Sequence, residues 1–167
     1  MISSKLDAHG KAGFSLLELL VVLGILSLLA GLATGGSKGI QNWLAASESQ
    51  SLFMEIANAC QQYRMEHGEW PEAFRAGETD LNAAAEDWSK ALAGYLERRV
   101  LDRVLRDGFG NTRLFLVLDS DGDHWIEPGQ FEAMEEGIVP DRIWARVAIY
   151  SLDEAGRLTA KSWTDED

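Results

Sequence analysis

Acidic side chains alternate along the segment Asp119-Ser120-Asp121-Gly122-Asp123. Carboxylates at every second position of a short loop can turn their oxygen atoms toward one point, which is what a hard divalent cation requires. Ile126 follows three residues later and is expected to pack inward, which would anchor the loop. Residue types and spacing therefore predict a calcium site in which Asp119, Asp121 and Asp123 are ligands.

The segment follows the first part of a calcium loop of the EF-hand kind, with two departures. The sixth position, usually glycine, is His124, and the twelfth, usually a bidentate acid, is Gln130. Glu127 could serve at the ninth position or swing in as the missing carboxylate. The alternative is a solvated acidic turn between two strands that needs no ion. A zinc site is not expected, because no second His or Cys lies near His124 in sequence.

Composition narrows the function further. The net charge of −12 argues against nucleic acid and against docking on anionic lipid headgroups, and it suits a domain outside the cytoplasm that binds cations. The chain has one cysteine, Cys60, so an intrachain disulfide is impossible, and this thiol is expected to be buried. No phosphate loop, nucleophile elbow or acid–base pair of motifs is present. The chain is therefore not expected to be an enzyme.

The most prominent feature of the sequence is one long apolar stretch near its N-terminus. Phe14 to Ala33 runs for 20 residues with Glu18 as its one charge. A helix of this length reaches about 30 Å, the hydrocarbon thickness of a bilayer. A carboxylate in such a segment is costly and is usually retained for a partner or a function. The short polar segment before it carries Lys5 and Lys11, which favours a cytoplasmic N-terminus.

The string Gly13-Phe14-Ser15-Leu16-Leu17-Glu18-Leu19-Leu20-Val21-Val22 resembles the type III signal of type IV pilins and type II secretion pseudopilins. The resemblance implies that prepilin peptidase removes residues 1–13 by cutting between Gly13 and Phe14, and that Phe14 is then N-methylated. It also implies that the apolar helix forms a filament core, in which Glu18 pairs with the amine of Phe14 on an adjacent subunit or, alternatively, on its own chain. An ordinary secretory signal, cut near Gly31-Leu32-Ala33, and a plain membrane anchor are the alternatives.

The stretch Thr34-Gly35-Gly36-Ser37-Lys38-Gly39 weakens a helix, because each glycine costs roughly 1 kcal/mol relative to alanine. It is either a simple linker or a segment that is helical in the membrane and loosens in a filament, as the resemblance implies. The sequence thus divides into a leader (1–13), a transmembrane and filament-core helix with a glycine-rich end (14–39), and a globular domain (40–167).

From Ile40 a helical pattern resumes. Its apolar face is formed by Trp43, Ala46/Ser47, Gln50, Phe53/Met54, Ala57 and Cys60, and the helix is expected to stop at Gly68. The close of this helix, with Tyr63 ahead of Gly68-Glu69-Trp70-Pro71, is similar to that of major pseudopilins. A second resemblance lies in Asp107-Gly108-Phe109-Gly110-Asn111, which looks like the Asp-Pro-Trp-Gly-Asn motif that opens their first strand. Glycine and phenylalanine replace proline and tryptophan here, so this likeness is partial.

The remaining elements follow from local pattern. Residues 72–81 are expected to be a loop. Asn82 is expected to cap a helix that carries Trp88 and Leu92. Residues 101–106 are expected to form either a turn of helix or an extended arm. The apolar composition of residues 113–118 predicts a central strand. Residues 143–151 are expected to form another strand, and residues 157–163 the last strand of a hairpin. The predicted fold is α+β: a long N-terminal helix, half membrane anchor and half domain spine, packed on a small antiparallel sheet of about three strands.

The resemblance implies a pseudopilin of the major type, in the bacterial inner membrane with one membrane pass and a periplasmic C-terminal domain. Its role would be to assemble into the periplasmic pseudopilus that drives type II protein export. The implied partners are copies of itself, other pseudopilins, prepilin peptidase, and the inner-membrane assembly platform with its ATPase. Two alternatives remain: a type IV pilin for adhesion, motility or DNA uptake, and a membrane-anchored calcium-binding module that does not polymerise.

Overall fold

The computed structural model describes residues 15–74, 77–101, 103–135 and 137–164, with the side chains of 32–37 and 98–99 left outside the description. The chain divides into two compact units, Met1–Ile40 and Gln41–Asp167. The first helix, α1 (Leu16–His67), has residues in both units. All the other described helices and strands belong to the second unit.

Helix α1 ends where the sequence predicts. Gly68 follows it with φ +79°, a left-handed conformation that glycine adopts without steric cost, and the Gly68 N–H donates to the Arg64 carbonyl at 2.8 Å. The backbone of residues 34–39 is helical, which agrees with the helical state expected of the glycine-rich segment outside a filament. Its loosening inside a filament stays a prediction.

The face that α1 buries differs from the predicted one. Phe53 and Cys60 are buried as expected, but Trp43 is 68% exposed and Met54 59% exposed. The buried positions are Ser49, Phe53, Ile56, Ala59 and Cys60. The interpretation was wrong at its start because it took Trp43 as a core residue, whereas the buried stripe begins at Ser49, where α1 meets the turn at Gly108.

The predicted α+β class is confirmed, with more strands than the three expected. A four-stranded antiparallel sheet has the order β1 (Thr79–Asp80), β2 (Arg113–Leu118), β5 (Val147–Leu152), β6 (Leu158–Lys161). A separate two-stranded ribbon pairs β3 (Trp125–Ile126) with β4 (Ile143–Trp144). Helices α2 (Ala85–Leu92) and α3 (Arg98–Leu101) and short 3₁₀ turns at Glu72–Phe74 and Pro128–Gln130 complete the described elements.

Strand β2 is central and buried on both faces. Leu114 and Leu116 pack with Phe53 and Ile56 of α1 in one apolar cluster. Phe115 and Val117 point to the opposite face and belong to a second cluster, with residues of β5 and of the segment that follows β3. Since side chains alternate along a strand, a nearly continuous apolar run is what a strand covered on both sides needs. The prediction of a central strand is confirmed.

Two segments between α1 and β2 were assigned incorrectly. Residues 72–81 are not simply a loop, because Thr79 and Asp80 pair with Leu116 and Phe115 as the edge strand β1. Asn82 is not a helix cap, since α2 begins at Ala85 and its N-cap residue is Ala84. The Asn82 side chain instead donates to the carbonyls of Leu105 and Thr112 and accepts the Leu105 N–H at 2.8 Å.

These bonds tie down the segment after α3. Of the two forms left open for 101–106, the structure has helix only to Leu101, and residues 103–106 have no regular secondary structure. The hairpin at the C-terminus is confirmed, with strand β6 covering Leu158–Lys161 within the predicted 157–163.

Candidate metal centre and N-terminal segment

The aspartate loop, residues 119–124, is an outward bulge in one long antiparallel pair of strands. Leu118 of β2 faces Val147 of β5, and Trp125 of β3 faces Trp144 of β4. The loop residues thus lie opposite only Ala145 and Arg146. Two backbone bonds close its ends: the Asp119 N–H donates to the Arg146 carbonyl at 3.1 Å, and the Ala145 N–H donates to the His124 carbonyl at 3.0 Å.

This arrangement corrects the single strand predicted for 143–151. The strand is interrupted at Ala145 and Arg146, where its partner changes from β3 to β2. The cause is the length difference across the pair, which no pattern within 143–151 could indicate. The interruption also fixes the base of the loop, because both of its ends are bonded to the same two residues.

The loop gathers the three predicted aspartates. One carboxylate oxygen from each of Asp119, Asp121 and Asp123 lies within 4.8 Å of the others. Asp119 is buried, whereas Asp121 and Asp123 are exposed. A hydrogen bond from the Asp123 backbone N–H to Asp121 Oδ1 is the main cause that holds the pKa of the Asp121 carboxyl below its usual value. Carboxylate oxygens are the donors that Ca²⁺ prefers, and this donor set fits such an ion.

His124, the unusual sixth residue of the loop, takes a backbone conformation that glycine would ordinarily supply. His124 has φ +72°, a left-handed conformation in which glycine is the ordinary choice and histidine is tolerated. Its backbone N–H donates to Asp119 Oδ2 at 3.1 Å, and the Gly122 N–H donates to Asp119 Oδ1 at 2.7 Å. The chain thus wraps around the buried Asp119 carboxylate, and the departure from glycine leaves the turn intact.

Glu127 lies at the N-cap of the 3₁₀ turn Pro128–Gln130 and is not part of the aspartate cluster. Its side chain accepts the Gln130 N–H, while Gln130 Oε1 accepts the Glu127 N–H at 2.8 Å, in a reciprocal capping pair. Gln130 Nε2 also donates to the Leu118 carbonyl at 3.2 Å. The described geometry therefore brings together three of the four proposed ligands and gives Glu127 a structural partner of its own.

The predicted processing and assembly residues lie near the N-terminus of the sequence. Gly13 and Phe14 fall outside the described residues. Glu18 is in the first turn of α1, where a carboxylate interacts favourably with the helix dipole. The side chains around it are exposed: Leu16, Leu17, Leu19 and Leu20 are each at least half accessible.

Within the part of the chain that the structure describes, no helix is both long and apolar enough to cross a membrane. The predicted span 14–39 includes Phe14 and the side chains of 32–37, which lie outside that description. It stays a prediction.

A second polar site, which sequence reasoning missed, centres on Asp107 in the turn before β2. This buried carboxylate accepts hydrogen bonds from the backbone N–H of Phe109 and Asn111, from the Asn111 amide, and from the hydroxyls of Ser151 and Thr159. The adjacent Gly108 lies against α1, because an added Cβ would come within 1.9 Å of the Ala45 carbonyl oxygen. The partial likeness at 107–111 was the available signal, and it pointed to a turn but not to this network.

Glu78, just before β1, forms a further, partly buried contact that no motif indicated. Its carboxylate accepts the hydroxyl of Tyr150 and, at 2.6 Å, the backbone N–H of Ala133. Burial raises the pKa of Glu78, and burial together with the Glu78 bond raises the pKa of Tyr150. The pair fastens the segment after β3 to the sheet, which is a structural role.

Comparison with known proteins gives one match. Residues 9–34 match the family model of the prokaryotic N-terminal methylation motif. This match supports a relation to the type IV pilin-like superfamily, and it covers Gly13, Phe14 and Glu18. No curated protein and no solved structure matches the chain.

Proposed function

We propose that this chain is a pseudopilin, a structural subunit that assembles into the periplasmic pseudopilus of a type II secretion system. The observation that carries the proposal is the methylation motif at residues 9–34, together with the helix that begins within it at Leu16 and exposes its large apolar side chains from Leu16 to Leu29. Exposed leucines and valines in this number need a lipid or protein partner. An inner-membrane anchor before assembly and a filament core after it would supply both.

Assembly requires the carboxylate of Glu18 to find a cation. A charge buried among neighbouring apolar helices costs several kcal/mol unless it is paired. Cleavage after Gly13 creates that cation, because it leaves a positive amine on Phe14. The amine of one subunit would pair with Glu18 of the next and set the axial position of each added copy. Prepilin peptidase, the assembly platform with its ATPase, and other pseudopilins are the partners that this role requires.

The aspartate loop would bind calcium and stabilise the periplasmic domain. Asp119, Asp121 and Asp123 would hold the ion, which would neutralise three carboxylates that otherwise repel one another. The chain has no disulfide to staple the domain, since Cys60 is its one cysteine. A bound cation would fasten the base of the bulge between β2 and β3 in place of such a staple.

A type IV pilin used in adhesion, motility or DNA uptake is the second candidate. The same methylation motif favours it equally. The absence of a cysteine pair that could close a C-terminal loop argues for the pseudopilin, since such a loop is a common feature of pilins.

The proposal is tested by the intact mass of the protein extracted from membranes of its native host. We expect a chain that begins at Phe14 and carries one additional methyl group, with peptidase-deficient cells retaining the full-length form. A mature chain that begins at Ile2, Thr34 or any residue other than Phe14 contradicts the assignment. Deleting the gene and measuring secreted protein against surface pili then separates the two candidate systems.

A further inference from the structure

Three arginines and three aromatic rings form one connected surface beside the aspartate loop, which we term the arginine–aromatic face. Its members are Arg64, His124, Trp125, Arg142, Trp144 and Arg146. The Arg142 guanidinium lies 4.1 Å from the centre of the Trp125 ring, and that ring meets Trp144 edge to face at 4.9 Å. Trp144 stacks on His124 at 5.3 Å, and Arg146 donates to His124 Nε2 at 2.6 Å.

Arg64 extends the face across a small pocket that it lines together with Gln61, Trp70 and Arg146. Its guanidinium stacks over Trp70 at 4.4 Å. One of its terminal nitrogens, Nη1, is buried and has no hydrogen-bond partner among the described residues. A buried donor without a partner is costly, so the described chain alone does not satisfy the Arg64 guanidinium.

The charge of this face is unusual for the chain. Acidic residues outnumber Lys and Arg by 27 to 15, yet no carboxylate among the described residues forms an ion pair with Arg64, Arg142 or Arg146. Trp144 is 55% exposed at the centre of the group. Exposed tryptophan flanked by arginine is the composition of protein interfaces, where these residue types carry much of the binding energy.

We propose that the arginine–aromatic face docks onto an acidic groove of a second copy of this chain. The groove is lined by Glu72 and Asp87 together with Tyr63 and Lys90. Its one cation, Lys90, is bonded to Glu86 at 2.8 Å and also interacts with Asp87, so it offsets only part of the negative charge of Glu72, Glu86 and Asp87. Opposite charge on two different surfaces of the same chain is the complementarity that self-assembly needs. The proposal rests on the proposed function, because it names the contact between globular domains.

The charge pattern also fixes the kind of contact. An isologous dimer would bring the arginines of one copy against those of the other, which is repulsive. A heterologous contact joins the face of one copy to the groove of the next and leaves a free face and a free groove at the two ends. Such contacts repeat into open chains unless the rotation closes a ring. The face therefore suits a filament rather than a dimer.

Cysteine crosslinking of the full chain in membranes tests this contact. Cys60 can be kept, because burial raises the pKa of its thiol to about 12 and removes it from reaction. A chain that carries both Arg146→Cys and Asp87→Cys should lose its monomer band on mild oxidation and give a ladder of dimers, trimers and higher species. Each single variant should give only the monomer band after the same oxidation. As a matched control, Arg103→Cys is combined with Asp87→Cys; Arg103 is an exposed arginine outside the face, and this pair should give no ladder.

Charge reversal gives a second measurement. Arg146→Glu should reduce the sedimentable, assembled fraction, and adding Asp87→Arg to the same chain should restore it. A dimer formed by Arg146→Cys alone overturns the heterologous contact. If the unmodified chain assembles but the chain with Arg146→Cys and Asp87→Cys gives no ladder, this interface is wrong and the proposed function still stands. If the unmodified chain never sediments as an assembly, both are wrong.

Discussion

Replacing Asp107 should destabilise the globular domain more than any exposed acidic substitution, because this carboxylate holds three elements together. Oδ1 accepts the backbone N–H of Asn111 at 2.7 Å and that of Phe109 at 3.0 Å. Oδ2 accepts the Asn111 amide at 2.9 Å, the Ser151 hydroxyl at 2.7 Å and the Thr159 hydroxyl at 3.0 Å. The turn before β2 is thereby joined to strands β5 and β6.

The magnitude follows from which donors lose their partner. Thr159 Oγ1 also bonds the Ser151 carbonyl and lies 2.9 Å from the Ser151 hydroxyl, so both hydroxyls keep a partner without the carboxylate. The backbone N–H groups of Asn111 and Phe109 have no such substitute. A hydrogen bond to a charged group contributes about 1.5–3 kcal/mol, and such losses are not additive, so Asp107→Ala should cost about 3–5 kcal/mol. For a domain of this size the melting temperature should fall by about 10–20 °C.

The loss should depend on pH. Burial raises the pKa of Asp107, but the hydrogen bonds from Asn111, Ser151 and Thr159 outweigh it and hold that pKa below its usual value. A depressed carboxyl pKa contributes stability that is present above the unfolded pKa, about 3.9, and is lost as the pH falls through the folded pKa. The gap between the wild type and Asp107→Asn, which keeps the shape but not the charge, should be full at pH 7 and should narrow below about pH 4.

Thermal unfolding followed by tryptophan fluorescence measures both effects on the fragment 40–167. Asp141→Ala, which removes an exposed acid with no buried contact, is the matched control and should change the melting temperature by less than about 2 °C. An Asp107→Ala midpoint as high as that control, or an Asp107→Asn deficit that is constant from pH 7 to pH 3, would refute the role given to the network.

Three further outcomes are expected. Gly108→Ala should lower the free energy of unfolding, measured by chemical denaturation, by about 1–3 kcal/mol. The added Cβ would lie 1.9 Å from the Ala45 carbonyl oxygen, and this backbone atom cannot easily move aside. A change below about 0.5 kcal/mol would contradict the close packing. Millimolar calcium should raise the melting temperature of the fragment 40–167, since a ligand at 100 times its dissociation constant adds about 2.7 kcal/mol. Asp121→Ala should abolish that increase, and an unchanged wild-type midpoint would favour the plain acidic turn. Glu18→Leu should be inserted and cut after Gly13 like the wild type but should fail to enter filaments as the sole copy, as judged by crosslinking; normal assembly would exclude the pairing with Phe14.

Elements with a local signature were predictable from the sequence. Gly68 ends α1 because a glycine after a helical run can take positive φ, and this requirement is set by the backbone at that residue. The apolar run 113–118 identified a strand covered on both faces. The N-terminal methylation motif and the alternating aspartates are likewise recognisable from a short stretch of sequence, although processing at Gly13 and Phe14 stays a prediction. The carboxylates of the three aspartates also lie close together in the structure, because they are two residues apart in one short loop.

Only the tertiary structure decided which residues partner one another across long separations. Asn82 is a capping type of residue, yet its Oδ1 accepts the distant Leu105 N–H instead of an N–H of the following helix. Its amide group donates to the carbonyls of Leu105 and Thr112. Glu127 is engaged by Gln130 at a 3₁₀ turn, away from the three aspartates it was expected to join. Strand pairing likewise splits 143–151, since the partner chain is longer over the same span. The arginine–aromatic face draws on α1 and on the β3–β4 ribbon, and residues about 80 positions apart carry no mutual signal in a single sequence.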